Sequence, residues 1–563
     1  MNSNEQALAR AQWQTALFAE RPSRLELLKL KASWPLTPLT VRVHRNHAFE
    51  HLAAVAEPWF AWWGNSVNFL YSDYDDSLSF AFDDKEPVQL ELLWLDLSRY
   101  AGRFDLTGFI EWLKGRLAAL RARTSSPIIL AALDATDDQH TALQKSVREL
   151  PGVRLADLRP LKAKLGAKMY DERAAKFSGT RLSDGASVLI ARELACRWIP
   201  AMLLPRIKAV AIDLDHTLFE GVLGEDGEQV RLTPAHAELH RFFLALRDQG
   251  VFLALVSRNE ETDVRKLFEV RKDFPLQWQH FSATAVSWGN KADGIRQAAK
   301  TMRIGEDAVL LVDDNPGELM SVTMELPQVR TIHALPDAAA TQRVLEYFPG
   351  LWAWERSATD AIRAADLDAD SERTRLATEA MDPMEYLRCL QVRLQIEVSP
   401  HQHLTRLQEL SQKTNQFNLN LQRLSEVDFS ERLDSADYRI AVIGLSDKLS
   451  DSGLIGLIVA HREQGVLVVE ELTISCRALG RRLEDLMIAE AVRAILEELP
   501  AQEVKILHRT APRNSPARDW LARFVKQSLS AEGEVNLKSA LAKISKESYP
   551  VAIEIIHHES IRN

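Results

Sequence analysis

One segment constrains this chain more than any other: Ala209-Val-Ala-Ile-Asp213-Leu-Asp215-His-Thr217-Leu. The apolar run at its start reads as a buried strand. Open α/β sheets carry their sites where such strands end. Two aspartates two residues apart share one face of extended chain, so at the strand's mouth both carboxylates serve the same small volume. One of them can attack phosphorus and become an aspartyl phosphate. The other can protonate a leaving oxygen and later activate water. Paired carboxylates also invite Mg2+, which prefers oxygen ligands and leaves positions for a substrate phosphate.

The expected elements around this segment alternate. Strands are predicted at Ala209–Leu214, Val251–Val256 and Ala308–Val312, with a helix at Pro234–Gln249 closed by Gly250. Ser257 follows the second strand with a hydroxyl for a phosphate oxygen. Lys291 offers a charge to offset the crowded carboxylates. Asp313 and Asp314 end the third strand with more of them.

Taken together, this set resembles the haloacid dehalogenase (HAD) superfamily of phosphotransferases. The resemblance implies that Asp213 is the nucleophile and Asp215 the general acid/base. Ser257, Lys291, Thr217 and Arg258 would bind phosphate, and Asp213, Asp215, Asp313 and Asp314 would form the Mg2+ site. The intervals Asp213 to Ser257 and Ser257 to Lys291 leave no room for the cap domains common in that superfamily. An uncapped, Rossmann-like domain is expected, with water excluded by another domain or by the substrate.

Further blocks carry a closer likeness. Asp213-Leu-Asp-His-Thr-Leu-Phe-Glu-Gly-Val-Leu-Gly-Glu-Asp-Gly227 and Asp313-Asp-Asn-Pro-Gly-Glu318 lie in the middle of the chain. Gln412-Lys-Thr-Asn-Gln-Phe-Asn-Leu419, Asp447-Lys-Leu-Ser-Asp-Ser-Gly-Leu-Ile-Gly456 and Ser475-Cys-Arg-Ala-Leu-Gly-Arg-Arg-Leu-Glu484 lie beyond it. These resemble the FkbH-like proteins of polyketide pathways, over roughly Leu204 to Phe524.

By that resemblance the C-terminal part is an α+β domain similar to the GNAT acyltransferases. Its expected strands are Tyr438–Leu445, Leu454–His461 and Val466–Ile474, followed by a helix from Arg482 to about Leu496. A strand, then Arg477-Ala-Leu-Gly480-Arg481-Arg, then a helix offers N–H groups and positive charge to a phosphate. The phosphopantetheine arm of an acyl carrier protein would be received by Arg477, Gly480, Arg481, Asn415 and Asn514. Cys476, beside two arginines and near a helix start, is the expected acyl-accepting nucleophile.

The resemblance implies a substrate such as the acyl phosphate 1,3-bisphosphoglycerate, loss of its phosphate, and transfer of the glyceryl unit to the carrier. The alternative is a phosphatase of a small soluble metabolite whose C-terminal domain only binds a partner. A third reading, a scaffold with a degenerate site, is disfavoured because all the carboxylates are present. His216, Phe219, Glu220, Arg258 and Lys448-Leu-Ser450 depart from the family pattern and leave the acyl substrate open.

The N-terminal third mixes expected strands at Val88–Leu97 and Ser126–Leu133 with a helix at Phe109–Arg123. Its last block, from Tyr170-Asp-Glu-Arg to Ile190-Ala-Arg-Glu-Leu-Ala, resembles the SGNH-hydrolase-like domain of larger FkbH-like proteins. The Gly-Asp-Ser fingerprint is absent, and His44, His47 and His51 are too loosely placed for a triad. An α/β domain without hydrolase activity is expected. The expected division is 1–203 SGNH-like, 204–350 HAD-like, 351–382 linker helices and 383–563 GNAT-like.

Lys and Arg total 69 against 79 Asp and Glu, a net charge of −10. That balance argues against a nucleic-acid partner. Cys196, Cys389 and Cys476 are too few and too scattered for disulfides or a cysteine zinc site. No apolar run reaches membrane-spanning length and no leader pattern opens the chain, so a cytoplasmic protein without a membrane partner is expected.

Overall fold

In the computed structural model the chain forms two compact units, Met1–Arg356 and Ser357–Asn563. The structure describes residues 3–82, 86–173, 177, 179–355, 366–367, 369–370, 372–373, 375–378, 380, 382–525 and 528–558. Among them no helix is long and apolar enough to cross a membrane.

The first unit holds two sheets. In the first, β1 (Thr37–Arg45), β2 (Asn65–Tyr74), β3 (Leu90–Asp96), β4 (Ile128–Leu133) and β5 (Val153–Ala156) lie in the order β2-β1-β3-β4-β5. In the second, β6 (Ala209–Ile212), β7 (Phe252–Ser257), β8 (Ala283–Val286), β9 (Val309–Asp313) and β10 (Arg330–His333) run in the order β10-β9-β6-β7-β8. Every strand pair in both sheets is parallel. Strands β3, β4, β6, β7 and β9 are buried along their whole length. Crossover helices cover both faces, which is why these strands read as unbroken apolar runs instead of alternating.

The expected line between residues 203 and 204 is crossed by one continuous hydrophobic core. It runs from Leu17, Trp59 and Trp94 through Trp198 to Ile212, Phe243 and Phe348. The edge of Trp62 meets Phe348 at 5.6 Å between ring centres.

The helices that frame the second sheet start where their caps dictate. Asn290 accepts from the Ala292 N–H and opens the helix Lys291–Thr301. Asn315 accepts from the Gly317 N–H, and Pro316 sits in the first turn of the helix Pro316–Glu325. Lys291 is thereby fixed on a first helical turn, and Asp313 and Asp314 just before another. Between β6 and β7 the chain forms only a short turn region and the helix Pro234–Asp248, with no further domain.

The second unit is one mixed sheet of β11 (Arg393–Val398), β12 (Tyr438–Ser446), β13 (Asp451–Glu463), β14 (Val466–Ile474), β15 (Glu503–Arg509), β16 (Glu532–Asn536) and β17 (Ala552–His557). The order is β16-β15-β14-β13-β12-β11-β17. The long helix spans Glu484–Glu498 and buries Leu486 to Ile495 against the sheet.

Strands β14 and β15 are parallel and paired only from Val466 to Val469. Past that point they part, and the chain's own segment Phe417–Leu419 fills the opening. Ile474 N donates to Phe417 O at 2.9 Å and Leu419 N to Leu472 O at 3.1 Å. On the other side Arg509 N donates to Leu419 O at 2.8 Å. Backbone groups that a splayed sheet would leave unpaired are thus satisfied internally.

The expected linker helices fall mostly outside the described residues. Asp366 and Arg373 are described, and both are buried, contrary to the reading of this stretch as having little to bury. Arg373 pairs with Asp366 and Asp447, and Arg481 pairs with the same two carboxylates. Charged residues read as solvated from sequence alone because their partners are distant in the chain.

Candidate active site

Strand β6 delivers Asp213, which is 5% exposed and donates its N–H to Val312 O on β9 at 3.0 Å. The chain then turns sharply. Leu218 N donates back to Leu214 O, and His216 stands in the left-handed region at φ 51°. Gly221, at φ +113°, closes the loop. A side chain there would meet Asp226 Oδ2 at 2.5 Å. The turn leaves Thr217 buried, its hydroxyl without a hydrogen-bond partner among the described residues.

Carboxylate oxygens of Asp213, Asp313 and Asp314 all lie within 4.8 Å of one another. The Lys291 ammonium bridges two of them, 2.9 Å from Asp213 and hydrogen-bonded to Asp313. Asp313 is fully buried and accepts from Asn315 N at 2.9 Å. Burial pushes its carboxyl up to about 7, with the neighbouring Asp213 charge adding to the effect. Burial raises Asp213 as well, with Lys291 opposing, and it raises Asp314. Burial alone would pull Lys291 down, but Asp213 and Asp313 outweigh it and hold it above the usual lysine range.

Three crowded carboxylates balanced by one ammonium fit a divalent cation. Their donors are all oxygen, and an added positive charge relieves their mutual repulsion. One carboxylate that the sequence places in this set is engaged elsewhere in the structure. Asp215 does not join the cluster with its carboxylate. Oδ1 accepts from Leu223 N at 2.8 Å and Oδ2 from Asn259 Nδ2 at 2.9 Å. These bonds fix its carboxylate between the backbone of Leu223 and the side chain of Asn259.

Ser257, at the end of β7, is buried, and its hydroxyl accepts from Asn259 Nδ2 at 3.2 Å. Asn259 therefore connects Ser257 to Asp215, a role the sequence reading missed. Its only signal was its place two residues after Ser257. Arg258 points elsewhere. It is half exposed and pairs with Glu318 at 2.8 Å, lining an open recess of about 300 Å3 with Trp288 and Asn290.

The departures in the loop that follows Asp213 are accounted for locally. Glu220 pairs with Arg231 across an antiparallel bridge, so its charge is met on the outside of the loop. Phe219 is buried against Phe274, at 6.0 Å between ring centres. His240 holds the loop from below, Nε2 lying 2.8 Å from Leu218 O.

In the second unit Cys476 follows β14 and is partly exposed. The phosphate-receiving turn expected after it is built differently. Arg481 is buried and held by Asp366 and Asp447, so its charge serves the interior. The Gly480 N–H donates to Glu484 Oε1 at 3.0 Å. The helix begins at Glu484, after Arg482 in the left-handed region, and opens with Glu484 and Asp485. Its positive end is therefore already met by acids.

Asn514 is fully buried, with Nδ2 donating to Asn418 O and Arg509 O and Oδ1 accepting from Ala511 N. Asn415 accepts from Arg423. These two asparagines pin the loops that fill the opening between β14 and β15. Arg477 and Cys476 remain partly exposed.

In the N-terminal part His44 bonds Glu91 at 2.9 Å, His47 bonds Thr180 at 3.2 Å, and His51 is exposed. The three do not converge.

No protein-family model and no curated protein matches the chain. Two solved structures show a partial likeness. One is the N-terminal part of the protein BF1531 from Bacteroides fragilis, containing a phosphatase domain complexed with Mg. It is 20% identical with a TM-score of 0.43, over 59% of this chain and 96% of that one. The other is a variant of the spermidine N-acetyltransferase SpeG from Vibrio cholerae, 15% identical with a TM-score of 0.19, over 26% of this chain and 91% of that one.

Proposed function

We propose that this chain is a Mg2+-dependent phosphatase that works through an aspartyl phosphate. The observation that supports it most is the buried cluster of Asp213, Asp313 and Asp314 bridged by Lys291. Asp213, Asp313 and Asp314 would hold the ion. When bound, it supplies positive charge against the phosphate oxygens.

The chain's own residues do the rest. Asp213 attacks phosphorus. Asp215, held by Leu223 N and Asn259, gives its proton to the leaving oxygen and takes one from water in the second step. The Thr217 and Ser257 hydroxyls and the Lys291 ammonium bind the transferring phosphoryl group. No inserted cap covers the site, so the substrate's non-reacting part helps to exclude water.

The test is phosphate release from a panel of small phosphate esters and acyl phosphates, with Mg2+ and with chelator. Release should require Mg2+ and vanish in Asp213→Asn. Equal release in that variant would end the proposal.

A finer reading belongs to the same proposal. The substrate is 1,3-bisphosphoglycerate or a related acyl phosphate that also carries a phosphoester. The carboxylate site hydrolyses the phosphoester, the Cys476 thiolate attacks the acyl carbon and expels the acyl-bound phosphate, and the thiol of an acyl carrier protein then displaces Cys476 from the acyl group. The partly exposed Cys476 beside Arg477 supports it, together with the sequence blocks around it. The arm would approach along a route other than the filled β14–β15 opening. Cys476→Ala should then keep phosphate release and lose the acyl mass gain on a holo carrier. If the wild type acylates no carrier, the plain phosphatase remains.

A further inference from the structure

A cavity in the first unit is lined by none of the three clustered carboxylates. Its volume is about 370 Å3, and the helix Ser3–Leu17 forms one wall of it. Trp62, Trp63 and Phe348 supply apolar faces. Two arginines line it, Arg10 from that helix and Arg330 from β10.

Neither arginine has an ion-pair partner among the described residues. The Nε of Arg10 is buried and has no hydrogen-bond partner among the described residues. Its guanidinium lies 5.7 Å from the Trp34 ring centre and beside Gly64. Arg330 donates to Pro349 O at 2.8 Å and reaches Pro205 O at 3.5 Å, leaving most of its five N–H groups for another acceptor. Gly350, at φ +95°, lets it lie against the backbone, where a side chain would meet Nη2 at 3.2 Å.

Buried guanidinium groups in proteins are ordinarily matched by carboxylates. Burial also pulls both of these below the usual arginine range. Two other groups with a possible charge face the cavity. Asp307 raises Arg330 through its negative charge. His333 is engaged at Nε2 with Asp314 O at 2.9 Å. Arg10 and Arg330 against Asp307 give two positive charges to one negative, a net +1 from these three groups.

We propose that this cavity is a binding site for a small organic monoanion, a carboxylate or a phosphate ester carrying an apolar group. The guanidinium forks take the anionic head, and the indoles and Phe348 take the apolar part.

The full chain would be titrated calorimetrically in chelator, so that the carboxylate cluster holds no metal. Benzoate and phenyl phosphate test the two head groups. Acetate and inorganic phosphate remove the ring, and benzylammonium inverts the charge. At least one ring-bearing anion should bind saturably, one per chain, more tightly than its ringless counterpart, and benzylammonium should not bind. Arg10→Gln should weaken binding about tenfold or more, the loss of a charged hydrogen bond. Asn65→Asp, which adds a negative charge to the lining, should weaken it independently and serves if Arg10→Gln does not fold. No saturable binding up to millimolar anion overturns the proposal. So does binding that both variants leave unchanged, or binding lost in Asp213→Asn, which would place the anion in the carboxylate cluster instead.

Discussion

The Lys291 ammonium lies 2.9 Å from Asp213 Oδ1, and both groups are almost wholly buried. The same ammonium bonds Asp313, so one lysine compensates two carboxylates. Lys291→Met leaves them facing each other uncompensated, at a cost of about 3–5 kcal/mol. Mg2+ restores positive charge at the same place. Melting curves should therefore show a larger gain on adding Mg2+ in Lys291→Met than in the wild type. An equal gain would mean that the ion and the lysine do not share this role.

Asp213 and Asp215 should fail in different ways. Asp213→Asn removes the attacking oxygen and should leave no phosphate release. Asp215→Asn removes the proton donor and base, slowing turnover about 10²–10⁴-fold. With a substrate whose leaving group needs no proton, Asp215→Asn should accumulate one phosphoryl group on Asp213, read by mass after acid quench. Asn259→Leu frees the Asp215 carboxylate from one of its two donors, so it should lower kcat more than it raises KM.

Metal affinity should depend on pH in a definite direction. The Asp313 carboxyl holds its proton up to about pH 7 because it is buried beside Asp213. A metal ion needs that proton removed. Apparent Mg2+ affinity should fall as pH drops below about 7, by up to about tenfold per unit for each proton displaced. Mg2+ titrations at a series of pH values, followed by calorimetry, measure the slope.

The first unit should lose stability in mild acid. Burial holds His240 and His47 down to about 4 from an ordinary 6.5. The unfolded chain takes up these protons as pH falls through 6.5, whereas the folded chain resists until about 4. Stability is therefore fully present above that window and lost as pH falls through it, by about 3 kcal/mol for one such histidine. His240→Gln keeps a donor for the Leu218 carbonyl and should flatten the melting temperature against pH. An unchanged slope would count against His240.

Arg481 separates a structural role from a ligand role. It sits with Arg373 between Asp366 and Asp447, all four nearly inaccessible. Arg481→Leu should destabilise the second unit, by up to about 3–5 kcal/mol, because Arg373 alone is left to balance two buried acids. Were its charge instead directed at a carrier's phosphate, the loss would appear in carrier affinity with the melt unchanged.

The sequence made the second sheet and its carboxylates legible because they depend on local signals. An apolar run ending in Asp213, a capped helix opening at Lys291 and a strand ending in Asp313 each declare themselves within a few residues. What escaped depends on separation. Asn259 acts through a bond to Asp215, 44 residues earlier. Asp366 and Arg373 looked like solvated charges because Asp447 and Arg481 are more than seventy residues away. Glu484 entered only as the last residue of a block, with no role, yet it takes the Gly480 N–H that a phosphate was expected to take. The 203/204 boundary failed to appear as a break because helices from both sides fill one core.

The segment Phe417–Leu419 is synthesised before either of the strands it joins. It cannot dock on β14 until Leu472 and Ile474 exist, and it cannot be locked from the other side until Arg509 and Asn514 follow. During translation this stretch must wait about fifty residues for its first partner strand and almost a hundred for its last partner. Completion of the second unit is therefore a late, long-range event, and a chain ending near residue 500 leaves the Val466–Val469 edge of β14, which β15 will cover, to whatever strand reaches it first.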